Sequence, residues 1–234
     1  MLELKKNLTS NVYPGRGIIV GKTPDGKNAA VAYFIMGRSE NSRNRIFEKQ
    51  PGGIIIYPFD ESKVADPSLI IYSPVRTVGN NLIVTNGDQT DTVYDFVAKG
   101  KTFEEALRTR CFEPDAPNFT PRISAMLTFS EGDFTYKMSI LKKNVGNDAC
   151  DRFTFDFAAA EGRARFIHTY MGDGNPIPSF YGEPEQVETA DDIDEFTKTI
   201  WESLNEQNKI SLYVRYVSLS DGSVQERMIN KNQK

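Results

Sequence analysis

Between residues 36 and 47 the chain reads MGRSENSRNRIF, which sets Arg38, Arg43 and Arg45 among small polar side chains directly after the apolar run VAYFIM. Guanidinium forks match the paired oxygens of a phosphate or carboxylate, so this window reads as a local site for a small anion. Arg38 stands at the end of a strand-like run, and the RSENSRNR stretch offers guanidinium, hydroxyl and amide donors together, with Ser39 and Arg43 among them. Arg45 reads equally as part of a solvated loop. A second group is TNGDQTD, where Asn86 and Gly87 form a tight turn between a strand and a helix, and Thr90 or Asp91 occupies the capping position. Amide, hydroxyl and free backbone N–H groups at such a turn either close the helix or offer a surface to an anion or carbonyl.

Three further positions carry chemistry. FEPDAPNFTPRIS is too proline-rich for a helix and enters a strand at Ile123, placing Arg122 at a strand mouth with Glu113 and Asp115 upstream. A carboxylate such as Glu113 is a candidate proton acceptor. His168 is the lone histidine, followed by Tyr170 in RFIHTYMGDG. It reads either as a structural histidine in a sheet or as a proton-transfer group tuned near neutrality. Tyr72, in DPSLIIYSPVR, reads as a strand-end tyrosine that is either a hydroxyl donor or a core residue with its hydroxyl satisfied.

The elements that must position these residues are mostly strands. Runs rich in β-branched and aromatic residues recur as GIIVGK, AAVAYFIM, GGIIIYP, SLIIYS, NLIVTN, ISAMLTF, FTYKMSIL, DRFTFDFA, RFIHTYM and ISLYVRYVSL, each bounded by Gly, Pro, Asn or Asp. TPDGKN and SEGD read as hairpin turns, which implies antiparallel pairing. Helices are expected in TDTVYDFVAKG, in TFEEALRTRC with Thr102 and Glu105 as a capping box, and in ADDIDEFTKTIWESLNEQ with Ile193, Phe196, Ile200 and Leu204 on one stripe. The pattern favours an α+β layered arrangement over alternating βαβ units. GDGNPIPSF reads as an irregular wall around a ligand or a crossing between sheets, and the closing segment SLSDGSVQERMINKNQK as dispensable.

The 234 residues, 39% hydrophobic and 26% charged with a net charge of -4, fit one domain over 1–234. This mild acidity argues against nucleic-acid binding, which calls for a broad basic field. No apolar stretch approaches the roughly 20 residues of a membrane span, and the opening segment lacks the apolar core of a signal peptide, so a cytoplasmic protein without membrane partners is expected. Cys111 and Cys150 sit in no disulfide or zinc pattern and read as free thiols.

Taken together, YPGRGIIVG, YFIMGRSENSRNR, VTNGDQTDTV, EPDAPNFTPRISAM and YMGDGNPIPSFYGEP resemble the archaeal-type inosine monophosphate cyclohydrolase family, the last of them its bacterial branch. The resemblance implies an Ntn-hydrolase-like fold, a four-layer αββα sandwich of two mostly antiparallel sheets flanked by helices. It implies dehydrative closure of 5-formamidoimidazole-4-carboxamide ribotide to inosine monophosphate, with no metal or organic cofactor and a small-molecule ribotide as substrate. A homo-oligomer is also implied. A diverged, non-catalytic ribotide binder of the same fold is the alternative. The Ser, Thr or Cys that enzymes of this fold expose at a mature N-terminus is not apparent, Thr9 and Ser10 being the nearest hydroxyls.

On that resemblance, Arg38, Tyr72, Glu113 and His168 are the candidate catalytic residues, with the Tyr72 hydroxyl donating to the formyl oxygen. Arg16, Ser39, Arg43, Asn86, Gly87, Thr90, Asp91, Arg122 and Tyr170 would bind substrate. Arg38 is expected to outweigh Arg45, and Arg38, Tyr72, Asn86 and Arg122 to converge on one cleft.

Overall fold

The computed structural model describes residues 1–63 and 71–232. A first sheet has the strand order β11-β10-β1-β2-β12-β13, formed by Glu185–Glu188, Arg163–His168, Arg16–Lys22, Asn28–Met36, Lys209–Ser218 and Val224–Asn230. A second runs β3 to β9 in chain order: Ile46–Gln50, Gly53–Tyr57, Val75–Val78, Asn81–Thr85, Arg122–Ser130, Asp133–Lys143 and Cys150–Ala158. The strand pairs within both sheets are antiparallel.

The apolar runs of β1 and β2 lack polar alternation because both of their faces are covered. Ile18, Val31, Tyr33 and Ile35 point into the core between the sheets, against Ile123, Leu127 and Met138 of the second sheet. Ile19, Ala32, Phe34 and Met36 point outward, where helices α1 (Leu2–Ser10) and α5 (Ile193–Ser203) cover them with Leu4, Leu8, Phe196 and Ile200. On the far side of the second sheet, α3 (Gln89–Ala98) and α4 (Phe103–Arg108) bury Val93, Phe103 and Leu107 against Ile83 and Leu141. These three apolar seams make four layers, helix, sheet, sheet, helix, as expected. The capping box is also present, with Thr102 and Glu105 exchanging side-chain and backbone hydrogen bonds.

The structure adds elements that composition hid. β3, β5, β11 and β13 are short or rich in charge, and α1 reads as an unstructured lead until Leu4 and Leu8 are seen to pack on α5. Residues 68–70 of the expected strand SLIIYS lie outside the described residues, and 71–73 join no ladder. Tyr72 is tied to β4 only through its carbonyl, which accepts from Ile56 N–H at 2.9 Å.

The closing segment, expected to be dispensable, contains a strand of the first sheet. β13 pairs with β12, and the amide of Asn230 reaches across to the other sheet. The Phe47 N–H donates to Asn230 Oδ1 at 2.8 Å, and Asn230 Nδ2 donates to the Phe47 carbonyl at 2.9 Å. One side chain thus satisfies an edge residue of β3 as a neighbouring strand would. Asn230→Ala should lower unfolding stability by about 1–3 kcal/mol, the penalty for stranding these backbone groups. Urea titration measures this, and an unchanged midpoint would make the bridge irrelevant.

Candidate active site

The antiparallel register brings the start of β1 beside the ends of β2 and β10, with Arg16 opposite Ile35 and Gly17 opposite His168. Arg16, Arg38 and Tyr170 therefore emerge at one end of the first sheet. From the second sheet, Arg45 lies just before β3, and the loop 113–120 leads into β7. Between them is a pocket of about 360 Å³ whose lining includes Arg16, Arg38, Ser39, Arg45, Glu113 and Tyr170, a size suited to a small-molecule ligand.

Local contacts fix each group. Gly15 has φ +76°, and a Cβ there would stand 2.3 Å from Thr169 Oγ1, so only glycine lets the chain turn into β1 so close to β10. The Arg16 N–H donates to Thr169 Oγ1 at 3.1 Å, and Thr169 N–H returns a bond to the Arg16 carbonyl at 3.0 Å. After β2, Ser39 caps the short helix α2 (Glu40–Arg43) by accepting from Ser42 N–H. Asn44 then exchanges two 2.7 Å hydrogen bonds with the backbone of Asp60, which draws the chain inward at Arg45. In the facing loop, Glu113 N–H donates to the Thr120 carbonyl at 2.9 Å. Asp115 accepts from the Thr120 N–H and hydroxyl, and the Thr120 hydroxyl also meets the Tyr170 hydroxyl at 2.5 Å.

The electrostatics are unusual. Arg16 and Arg45 are 9% and 7% exposed, and the Nε of each is buried without a partner. Among the described residues Arg45 makes no hydrogen bond or ion pair. Burial and then the repulsion of Arg16 pull its pKa down. Arg16 is 3.7 Å from Glu113, and although burial opposes its charge, Glu113 and the neighbouring tyrosines hold it above the usual value. Burial pushes the Glu113 carboxyl up despite the opposing fields of Arg16 and Arg122. The Tyr170 phenol is likewise pushed by burial to about 12, so it stays protonated at neutral pH. Such displaced values in one cleft mark a functional site.

The rim is wetter. The Arg38 guanidinium lies 5.1 Å from the Tyr13 ring centroid, and Tyr13 stacks on Tyr170 at 5.8 Å. Arg38 also pairs with Asp173 and donates to the Gly174 carbonyl at 3.0 Å. The irregular GDGNPIPSF segment is therefore a wall of the pocket, with Ile177 in its lining.

Several expected site residues do other work. Tyr72 is outside the pocket lining but buried against the same cluster, its hydroxyl 3.0 Å from that of Tyr33 and its phenol close enough to feel the charges of Arg16, Arg45 and Glu113. His168 is 1% exposed between Phe166 and Phe180 and does not reach the cleft. Its Nδ1 lies 2.8 Å from the Tyr170 carbonyl, an acceptor, which fixes this nitrogen as the donor and His168 as a brace for Tyr170. Arg43 Nε donates to the Gly37 carbonyl at 3.1 Å, outside the pocket lining.

The TNGDQTD cluster closes a helix start instead of lining the cleft. Asn86 Oδ1 accepts from Ile123 N–H at 2.9 Å and Asn86 Nδ2 donates to the Pro121 carbonyl at 2.9 Å. Thr90 Oγ1 meets Thr85 Oγ1 at 2.6 Å, and Asp91 pairs with Arg76 at 2.6 Å. The N-cap position is Asp88, not Thr90 or Asp91. Arg122 spends Nη1 on Asp88 and Gln89, at 2.7 Å each, and a Cβ at Gly87 would sit 2.5 Å from that nitrogen and displace these side-chain ends. The pocket lining thus holds Arg38 without Tyr72, Asn86 or Arg122, while Tyr72 and Arg122 reach the cluster from behind through Arg16 and Glu113. Sequence reading passed over Thr120 and Tyr13 and undervalued Arg45; the first two have no signature apart from their tertiary partners.

A family model described as IMP cyclohydrolase-like protein matches residues 13–222. The IMP cyclohydrolase of Methanopyrus kandleri is 36% identical over 117 residues, 48% of this chain and 57% of that protein. That of Methanococcus aeolicus is 32% identical over 120 residues, covering 50% and 58%. That of Methanocaldococcus jannaschii is 29% identical over 121 residues, covering 51% and 59%. The chain thus matches little more than half the length of these curated relatives.

The buried carboxyl sets a pH signature. Because the folded state favours neutral Glu113, its contribution to stability is full below the ordinary glutamate pKa of about 4.3. It is lost as pH rises through the raised folded value. Glu113→Gln stays neutral throughout, so its stability relative to wild type should increase from acid toward neutral pH. Parallel urea-midpoint curves for the two proteins would show that Glu113 is not held neutral.

Proposed function

The chain belongs to the IMP cyclohydrolase-like family, and from that premise we propose that it closes 5-formamidoimidazole-4-carboxamide ribotide to inosine monophosphate at this pocket. The observation that supports the reading most strongly is the pair of buried guanidiniums, Arg16 and Arg45, with unpartnered Nε atoms beside a carboxyl whose pKa is raised.

The reaction is intramolecular. The carboxamide nitrogen attacks the formyl carbon, and the formyl oxygen, after taking one proton from the carboxamide and one from the formamide nitrogen, departs as water. No covalent nucleophile is needed. The protein must hold the two groups in near-attack geometry, stabilise the oxyanion and relay protons.

Placing the reacting end deep and the phosphate at the rim assigns each residue a task. Glu113, made more basic by its burial, accepts the carboxamide proton and passes it to the formyl oxygen, which leaves as water once the formamide proton has joined it. Arg16 and Arg45 face the developing oxyanion where water is excluded and fixed charge acts most strongly. Tyr170, its hydroxyl proton given to Thr120 and the Thr120 proton to Asp115, is held rigidly as the wall beside that oxygen. At the rim, Arg38 exchanges Asp173 for the 5′-phosphate, with the hydroxyls of Ser39 and Ser42 beside it. The assignment reverses the ranking expected from sequence, since Arg45 is buried and unpaired while Arg38 is 35% exposed and paired.

Ring closure creates a purine chromophore, so ultraviolet absorbance follows it directly. Purified protein should convert the formamido ribotide in buffer without added metal; substrate that binds but closes no faster than in buffer would identify a non-catalytic ribotide binder. Arg45→Ala should lower kcat by about 10²–10³ with little change in KM, the effect of removing one oxyanion donor. Arg38→Ala should act mainly on KM. Equal, small effects of the two substitutions would refute this division of labour.

A further inference from the structure

Arg215 of β12 sits between Tyr213 and Val217, two residues of the core between the sheets, so its side chain enters the same space. It is 9% exposed, and its Nε is buried without an acceptor. The acceptors around it are poor. The Gly52 carbonyl is 3.4 Å from Nη1, and the adjacent Tyr213 hydroxyl is committed to Glu226. Glu226, opposite Arg215 on β13, stands 4.0 Å away and is divided between two cations, because Lys49 lies 3.6 Å from its other oxygen. A buried guanidinium with five N–H donors is thus left short of both acceptors and negative charge.

A cavity of about 360 Å³ reaches this group, framed by the tips of the β5–β6, β7–β8 and β12–β13 hairpins. It shares no lining residue with the pocket at Arg16. Strand β2 separates the two arginines: Arg215 pairs with its Val31 and Arg16 with its Ile35, about 13 Å apart along the strand. Leu82, Phe129 and Val217 give the cavity apolar walls, while Glu131 and Asp133 belong to its exposed part. Lys22 offsets the charge of Asp133 at 2.6 Å, and no cation among the described residues offsets Glu131.

We propose that this cavity is a second ligand site, which takes a small monocarboxylate with an apolar body. The planar carboxylate supplies Arg215 with paired acceptor oxygens and with the charge that Glu226 gives only in part. The apolar body fills the space between Leu82, Phe129 and Val217, as in ligand sites where a few polar groups set orientation within apolar walls. Charge selects against phosphate. A dianion meets Glu131 and Glu226 with twice the repulsion that a monoanion does.

The probe is para-iodophenylacetate, whose iodine marks its place by anomalous scattering. Crystals grown with it should show iodine in this cavity and the carboxylate against Arg215. In calorimetry the probe should bind saturably, and Arg215→Leu should weaken it roughly tenfold or more, the loss of a charge-assisted pairing. Its neutral amide should bind as weakly to the wild-type chain, and equimolar inorganic phosphate should not displace it. Val224→Trp narrows the opening from an exposed position and keeps Arg215 in place, so it should also weaken binding with unchanged circular dichroism. Iodine found only at the Arg16 pocket, density in the crystal without saturable binding in solution, or displacement by phosphate would overturn the proposal. So would an amide that binds as well as the acid, or affinity that survives both substitutions.

Discussion

Two arginines buried side by side without enough partners are the constraint around which this molecule is organised. Arg16 and Arg45 come from different sheets, so their mutual repulsion and the desolvation of both must be carried by the whole sandwich. An unpaired buried charge destabilises a fold unless something neutralises it. Glu113 does so only in part, because its own burial favours the neutral acid. On the proposed function, the remaining demand for negative charge is what an anionic ligand or an oxyanion formed in the pocket would meet.

The four-layer architecture makes this arrangement possible. Antiparallel register fixes Arg16 beside the ends of β2 and β10 to within the spacing of adjacent strands, while the apolar seams on both faces of β1 and β2 prevent those strands from sliding. The loops then need only short-range devices: a serine cap after β2, the Asn44 to Asp60 exchange before Arg45, and the Asp115, Thr120 and Tyr170 hydroxyl chain opposite. Rigid strands set position and polar loops set chemistry.

Much of this was legible in the sequence, and the failures have a common cause. The main strands, helices α3, α4 and α5 and the capping box follow from periodicity and local cap chemistry. Arg16, Arg38, Ser39 and Tyr170 fall together because each sits at or near a strand end, and Glu113 joins them from the loop before β7. Asn86, Thr90 and Asp91 were ambiguous in principle: the same amides and hydroxyls suit an anion or a helix start, and only the tertiary partners, Pro121, Ile123 and Arg76, decide. Arg45 looked solvated because its neighbours are polar. Its burial arises from a hydrogen-bonded contact with residue 60, a separation that periodicity does not register. His168 illustrates the converse, since a residue type suited to proton transfer is used here to hold a backbone carbonyl.

A crystal structure with inosine monophosphate bound tests the account most directly. The product's purine ring should lie against Glu113, Arg16 and Arg45, with its phosphate replacing Asp173 on Arg38. A nucleotide seated elsewhere, for example in the cavity at the opposite end of the sandwich beside Arg215 and Asn80, would contradict it.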